Sequence, residues 1–513
     1  MTTRTTAPYR PGAPTRPAAF GQLLWAEWIK FRTVRGWVIG MIIAALATVG
    51  IVLLDHSSCG GQVTPNGPVI VGAGCSAPLG PGGEAVTDSF YFVHRPLAGD
   101  SSVTARVTSL TSPADQSHSS LAPWSKAGII VTASTRPGSA YAAMLVTAGH
   151  GVRMQYDYTG DIAGLQGAVS PASPRWLRLT RSGGTITGYE SADGTHWTKV
   201  GTAVLTGLPA TVQAGMFAAS PGSSQSTARS VSGSGASGAL GLASARFDHV
   251  SVSAQRPSGT WTGDPVGGAA PGTGFQQAGG AFTVTGTGDI APSVEVGTPV
   301  ENTLLGAFGG LIAVIVVAAM FVTAEYRRGL IRVTFAATPT RGRVLAAKAV
   351  VIGSVAFIAG LAGCTAALLL GERLLRSSGN FILPVSALTQ VRAVAGTAAV
   401  FALAAVLALA LGTIVRHSAG AVTAVIVAIV LPYFLATALP VLPAGAADWL
   451  LRVTPAAGFA IQQTISQYPQ VTAAYTPNNG YYPLPPLAGF AVLCGYAALA
   501  LALAAFLLRR RDA

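Results

Sequence analysis

Charge is what this chain has least of. Asp, Glu, Lys and Arg make up 10% of its 513 residues, against about 25% in soluble proteins. Half of the residues are apolar, and the mean hydropathy is +0.50. An ordinary soluble chain is excluded on that composition, and a membrane protein is indicated. Lysine is scarcer still: Lys30, Lys126, Lys199 and Lys348 stand against 28 arginines. With the high Gly, Ala and Pro content, that bias suggests a GC-rich bacterial genome.

Other absences narrow the chemistry. There is no G-x-x-x-x-G-K-[ST] stretch, so the chain carries no phosphate-binding loop for ATP. His94, His118, His150, His196 and His249 lack metal-ligand spacing, and neither a metal nor another cofactor is expected. No carboxylate pair stands out as a catalytic site; Asp193 reads as a turn former. Cysteine is rare. Cys364 and Cys494 lie in apolar runs and read as packing residues. Cys59 and Cys75 share a Gly/Pro-rich segment; they are two free thiols or, if that segment lies on the oxidising side of a membrane, a disulfide.

The net charge of +13 would suggest nucleic acid if it were concentrated on a soluble face. It is not. Residues 55–303 hold 12 Lys/Arg and 14 Asp/Glu, and the remainder holds 20 and 5. The basic charge therefore belongs to the apolar half, where it sets orientation, and no nucleic-acid partner is expected.

What is present is a set of long apolar runs. Residues 1–17 are Pro/Thr/Arg-rich and read as a disordered cytoplasmic tail. Residues 18–36 place Phe20, Leu23, Leu24, Trp28 and Phe31 at helical spacing. This predicts an amphipathic interfacial helix anchored in membrane lipid by Trp25, Trp28, Lys30 and Phe31. Spans are expected at 37–54, 304–323, 344–370, 391–415, 421–439 and 487–508, with a loop at 440–486 on the far side. Of the 20 Lys/Arg in this half, 16 then fall on one side, which makes both termini cytoplasmic and residues 55–303 extracytoplasmic. The six runs hold essentially no ionisable groups, which argues against an ion-driven carrier.

The excursion at 55–303 has β texture. Candidate strands are Ser102–Leu110, Ala127–Thr135, Ala140–Thr147, Gly151–Tyr158, Arg175–Arg181, Thr185–Ser191, Thr198–Leu205, Val212–Ala219 and Ala245–Val252. Their spacing favours an all-β sandwich. Ser223–Gly241 reads as a flexible Ser/Gly/Ala loop. The hairpin from Trp176 to Gly201 turns at Gly183-Gly184 and Asp193-Gly194. With PWSKAGIIV (Pro123–Val131), Tyr141–Tyr158 and a closing FDHVSV (Phe247–Val252), this stretch resembles the concanavalin-A-like, laminin-G-like jelly-roll sandwiches. Phe282–Ile290 looks like one more such strand, displaced to the end. The resemblance implies glycan binding, in which Trp124, Trp176 and Trp197 are candidates for stacking on sugars; core packing is the other use of those rings.

The link at 324–343 carries the densest positive charge. Between Thr323 and Lys348 there are six Lys/Arg against Glu325 alone. Its pattern is Glu325, Gly329, Pro339, Arg341 and then Lys348 entering the next span. That pattern resembles the first cytoplasmic loop of ABC type-2 permeases, although Leu330 stands where the family usually has Thr. The resemblance covers residues 18–54 and 304–511 and rests on the order of elements more than on any single motif. It implies a permease subunit, an exporter, dimeric with itself or another permease. A separate ABC ATPase would hold ATP and magnesium and contact Glu325, Arg327, Arg328, Gly329, Arg332, Pro339, Arg341 and Lys348. Two rivals remain: a membrane-anchored glycan-binding or sensor protein, and an extracellular glycan-acting enzyme.

Overall fold

The structure is a computed structural model. It describes residues 19–54, 76–113, 121–222, 241–254, 259–294, 297–337, 340–437, 444–471, 475 and 480–511. The N-terminal tail, Cys59, Cys75, Pro339 and all but the last residue of the Ser223–Gly241 tract lie outside the described residues, as does the side chain of Arg332.

The chain builds a β-sandwich and a bundle of long apolar helices. Helix α1 (Phe20–Thr33) is followed at once by α2 (Arg35–Leu54). Sixteen strands come next: β1 (Val86–Asp88), β2 (Phe90–Ala98), β3 (Ser101–Thr111), β4 (Lys126–Thr132), β5 (Tyr141–Thr147), β6 (Val152–Tyr156), β7 (Gly160–Ala163), β8 (Arg175–Ser182), β9 (Thr185–Ser191), β10 (Thr198–Val204), β11 (Thr211–Ala219), β12 (Ala243–Ala254), β13 (Thr262–Val266), β14 (Gly274–Ala278), β15 (Ala281–Gly286) and β16 (Ile290–Pro292). A 3-10 turn (Val300–Leu304) leads into α3 (Ala307–Arg327), then α4 (Leu330–Ala337), α5 (Arg341–Ser377), α6 (Ala387–Val415), α7 (Ser418–Thr437), α8 (Ala444–Val453), a second 3-10 turn (Pro455–Gln462) and α9 (Pro486–Arg511).

Two antiparallel seven-stranded sheets face each other, in the orders β10-β9-β8-β3-β12-β15-β14 and β13-β2-β11-β4-β5-β6-β7. Period-two alternation explains the first sheet. Leu177 and Leu179 of β8 are buried between the sheets, while Trp176, Arg178 and Thr180 stay half-exposed on its outer face. The second sheet breaks that rule, since every residue of β4 and β5 is buried. One face of these strands packs into the sandwich core. The other lies in a second apolar cluster with Val86, Phe90, Phe217, Val266 and Ile290. The β1–β16 pair contributes Val86 and Ile290 to this covering. A strand buried on both faces reads as a continuous apolar run, which is how β4 reads in KAGIIVT.

All nine expected strands are present, with ends shifted by a few residues. Strands β1, β2, β7, β13 and β14 had no expectation. Pro96 and Arg95 in β2 and Pro265 in β13 break up the apolar pattern, and β14 is polar. FDHVSV does not close the sandwich: β12 lies between β3 and β15, and β15 carries the sheet on to β14. The displaced strand Phe282–Ile290 is therefore β15 and the approach to β16.

The carboxyl of Asp88 in β1 accepts hydrogen bonds from Tyr158 Oη (2.6 Å) and the Gly138 N–H (2.9 Å). Burial raises its pKa to about 6, against the pull of those two bonds. A folded value above the unfolded one of about 3.8 means that the contribution of the protonated form is complete below that value. It is lost as pH rises through about 6. After correction for the intrinsic pH dependence of exchange, hydrogen exchange of β1 and β16 should therefore speed up from pH 4 to 7, by an opening free energy of about 2 kcal/mol. Asp88→Asn should flatten that dependence; an unchanged slope in the variant would refute the assignment.

Among the described residues, six helices are long and apolar enough to cross a membrane: Arg35–Leu54, Val300–Arg327, Arg341–Ser377, Ala387–Val415, Ser418–Thr437 and Pro486–Arg510. Each overlaps one of the six apolar runs in which a span was expected. Helix α5 has 37 residues, about 55 Å at 1.5 Å per residue, and so extends beyond a hydrocarbon core of about 30 Å. The expected loop at 440–486 is more structured than its composition suggested. It contains α8, and Pro455–Gln462 is buried throughout, packed against α6, α7 and α9. Small residues permit that approach: a Cβ on Gly489 would lie 2.3 Å from the Ala457 carbonyl oxygen. Its apolar run is too short for a span, so hydropathy alone assigns it to a loop.

The sandwich is tied to the bundle at two places. The Thr298 N–H donates to the Phe381 carbonyl (2.7 Å), and the Leu383 N–H donates to the Thr298 carbonyl (3.1 Å). Gln470 Nε2 donates to the Tyr158 carbonyl (3.1 Å).

Candidate functional site

At the end of the bundle away from the sandwich, four charged side chains meet across three helices. Lys348 comes from α5 and is 1% exposed. Its Nζ donates to Glu325 Oε1 of α3 (2.6 Å) and to Glu27 Oε2 of α1 (2.7 Å). Lys30, one turn on from Glu27, reaches Glu27 Oε1 (2.9 Å) and Glu325 Oε1 (3.3 Å) from the more exposed side. The tetrad is neutral as a set, which is the condition under which such burial is tolerated. Burial alone would lower the Lys30 pKa; hydrogen bonding and charge from Glu27, reinforced by Glu325, outweigh it and raise the value.

Aromatic rings floor the tetrad. Phe321 lies one turn before Glu325, with its ring centroid 5.0 Å from Lys348 Nζ. Trp37 and Phe31 pack edge-on against it at 5.0 and 6.1 Å. Glu27 and Phe31, four residues apart, form the inward face of α1. Glu27 falls at helical spacing with Leu23, Leu24 and Phe31, and it points at the spans because its partner, Lys348, lies inside them. Trp25 is 60% exposed and Trp28 39%, so these two rings face away from the packed side of α1.

The residues expected to meet an ATPase separate into three groups. Glu325 and Lys348 turn inward into the tetrad and have no free surface to offer a partner. Arg341 donates from Nη1 to the Leu508 carbonyl (2.9 Å) near the end of α9, where a cation complements the helix terminus. Arg327, Arg328 and Gly329 are exposed. Gly329 has φ +69° with no atom within 4 Å of where a Cβ would be. Its left-handed conformation stops α3 and turns the chain into α4.

The three tryptophans of the sandwich differ in the same way. Trp124 is buried and stacked on His150 at 4.0 Å. Trp176 and Trp197 are half-exposed at the first sheet. Arg106 lies 5.5 Å from the first ring, and Arg178 lies 3.8 Å from the second. Five acids of the sandwich already have basic partners: Asp161 with Arg153, Asp193 with His196, Asp248 with Arg106, Asp264 with His94 and Asp289 with Lys126. Asp193 forms the expected turn, its Oδ1 accepting from the Thr195 and His196 N–H groups at 2.7 and 2.8 Å. Hydrogen bonding to His196 pulls its carboxyl well below the usual range.

Glu27 was the residue that sequence reasoning missed. The available signal was lysine scarcity. Lys348 stands in the apolar run AAKAVVI, and a lone ammonium there needs a carboxylate from another helix.

No family model matches the chain, and no curated protein does. Among solved structures, a functionally unknown protein from Saccharomyces cerevisiae is similar at 18% identity and TM-score 0.21, over 36% of this chain and 85% of that one. Scytalido-glutamic peptidase with a transition-state analogue inhibitor is similar at 9% identity and TM-score 0.24, over 40% of this chain and 100% of that one. The GH43 protein BlXynB from Bacillus licheniformis follows at 13% and 0.18, over 37% and 27%. At these scores none carries an argument about activity.

Proposed function

We propose that the chain is the permease subunit of an ATP-driven ABC transporter of the type-2 class, an exporter that works with a separate ATPase subunit. One observation carries the reading. The exposed Arg327-Arg328-Gly329 turn projects directly from the helix end that the buried tetrad locks to α1 and α5. A push on that turn is transmitted through Glu325 to Lys348 and Glu27, so three helix ends respond as one body. The chain carries no ATP-binding loop of its own, and the turn is where a partner would deliver the work.

On this reading both termini and the turn are cytoplasmic, the sandwich is an extracytoplasmic jelly roll, and two permease chains pair in the membrane. The sandwich, tied to the bundle through Thr298 and Gln470, would gate the exit or bind a ligand beside it. A second reading, a membrane-anchored binding protein, is favoured only by the half-exposed Trp176 and Trp197 with their arginines. A third reading, a glycan-cleaving enzyme, needs two carboxyl groups free to work across a cleft, and five acids of the sandwich are instead held by basic partners.

The test is mild detergent extraction followed by affinity purification of the full chain. An ATPase should co-purify in stoichiometric amount. Reversing Arg327, Arg328 and Arg332 to Glu should reduce that recovery at least ten-fold and leave the permease itself intact. Equal recovery with the reversed turn, or no ATPase at all, would overturn the proposal.

A further inference from the structure

The outer face of the first sheet carries a line of positive charge. Lys199 of β10 pairs with Tyr189 of β9, which pairs with Arg178 of β8. Arg178 lies opposite Thr104 of β3; two residues on, Arg106 lies opposite Asp248 of β12, and Arg246 of β12 lies opposite Ser109. Residues directly opposite share a face. Lys199, Arg178, Arg106 and Arg246 therefore run diagonally across one face, at steps of about 10, 8 and 11 Å from the usual strand spacing and rise. The charge is not a matter of composition. Residues 55–303 hold 12 Lys/Arg and 14 Asp/Glu; without these four cations and Asp248, 8 and 13 remain. Nor does the face look toward the helices. Tyr158 and Ile290 belong to the cluster on the outer side of the second sheet, and it is Tyr158 that Gln470 reaches from the bundle.

The four cations are held differently. Arg106 is neutralised, its Nε and Nη2 each donating to Asp248 at 2.6 Å. The side chains of Lys199 and Arg246 have no ion pair or hydrogen bond among the described residues. Arg178 is fixed in place without being neutralised. Its Nε donates to Thr104 Oγ1 (3.1 Å), and its guanidinium lies 3.8 Å from the Trp197 ring centroid. Neither Nη has a partner among the described residues. Thr104 is 8% exposed; it accepts from Arg178 and keeps its own hydroxyl proton to donate. The rings offer little flat surface. One face of Trp197 is covered by Arg178. Trp176 has Arg106 at 5.5 Å and His249 at 5.1 Å, and a Cβ on Gly194 would lie 2.7 Å from it. Stacking of sugars or bases is thereby restricted, while a pre-set guanidinium fork beside a hydroxyl donor matches a phosphate group.

We propose that the outer face of the first sheet binds a linear polymer with phosphate groups in its backbone. One phosphate meets the Arg178 Nη groups and the Thr104 hydroxyl, and others along the same chain meet Lys199 and Arg246. A chain is required because the cations lie too far apart for one phosphate to bridge and are arranged in a line. The proposal does not rest on the transporter reading: binding belongs to the sandwich and stands whether or not an ATPase associates with the helices.

The test uses the full chain in detergent and protection of individual arginines from phenylglyoxal, read by mass spectrometry. Binding of a polyanion to the exposed Arg327 and Arg328 is thereby scored separately. Long-chain inorganic polyphosphate should slow modification of Arg178 and Arg246 at least five-fold and leave the exposed Arg136, on the loop after β4, unchanged. Orthophosphate at the same phosphate concentration should protect neither. Polygalacturonate and oligothymidylate should need at least ten-fold more charge for the same protection. Arg178→Gln should raise the polyphosphate concentration that half-protects Arg246 at least ten-fold. Arg178→Lys, which keeps the charge and loses the fork, should raise it several-fold. Thermal unfolding confirms that the variants fold, and the wild-type protection pattern decides the matter if Arg178→Gln does not. No protection of Arg178, equal protection of Arg136, equal potency of polygalacturonate or oligothymidylate, or an unchanged half-protection concentration in a folded Arg178→Gln would overturn the proposal.

Discussion

Replacing Lys348 with Met should destabilise the helical half by about 3–5 kcal/mol, the usual cost of breaking a buried ion pair from one side. Met has similar length and packs well, so the loss is not one of volume. It comes from Glu27 and Glu325, each nearly buried and each deprived of its shortest contact. Lys30 cannot compensate, because its Nζ already serves both carboxylates from the exposed side. Thermal unfolding in detergent measures the loss, and hydrogen exchange of Phe20–Thr33 shows α1 detaching. Changing Glu27 and Glu325 to Gln alongside Lys348→Met should recover most of the stability, because the uncompensated charges leave together. Unaltered stability of Lys348→Met would mean that the tetrad does not hold the three helices.

Lys126→Met should produce a comparable loss in the sandwich. Lys126 is fully buried and pairs with Asp289 at 2.6 Å, with further bonds to Gln155 (3.3 Å) and the Ile290 carbonyl (3.2 Å). Removing the ammonium strands Asp289, at about 3–5 kcal/mol. Asp289 and Ile290 belong to the return segment that covers the second sheet before the chain enters α3. Limited proteolysis should therefore begin within residues 286–294 of the variant while the sandwich core stays resistant. Adding Asp289→Asn should restore resistance. A variant cleaved no faster than wild type would show that the pair does not fasten that segment.

These two lysines also mark how far the sequence could be read. The six long helices were legible because apolar runs of this length have one dominant use. The nine expected strands were legible because Val, Ile and Thr alternate between Gly and Asp turns. Strand order was not, since β12 lying between β3 and β15 depends on pairings made far apart in sequence. The buried segment Pro455–Gln462 was hidden because eight apolar residues in a Pro-rich stretch read as loop. The candidate site was legible only in part. Glu325 and Lys348 were singled out, yet as contacts for a partner, because a sequence pattern says where a charge stands and not which way it faces. Glu27 depends on a partner from a distant element, Lys348. Lysine was the one available clue. Three of the four join ion clusters, two of them fully buried, where a compact ammonium with three donors fits better than a guanidinium.

The central claim is that the exposed turn after α3 receives work from a separate ATPase. Its most direct test is a photo-crosslinking residue in place of Arg328, activated in intact cells. The account predicts a single major adduct whose partner carries a G-x-x-x-x-G-K-[ST] loop, with the crosslink mapping to that partner's surface and its yield changing with ATP. Adducts to lipid alone, or to no ATP-binding polypeptide, would contradict it.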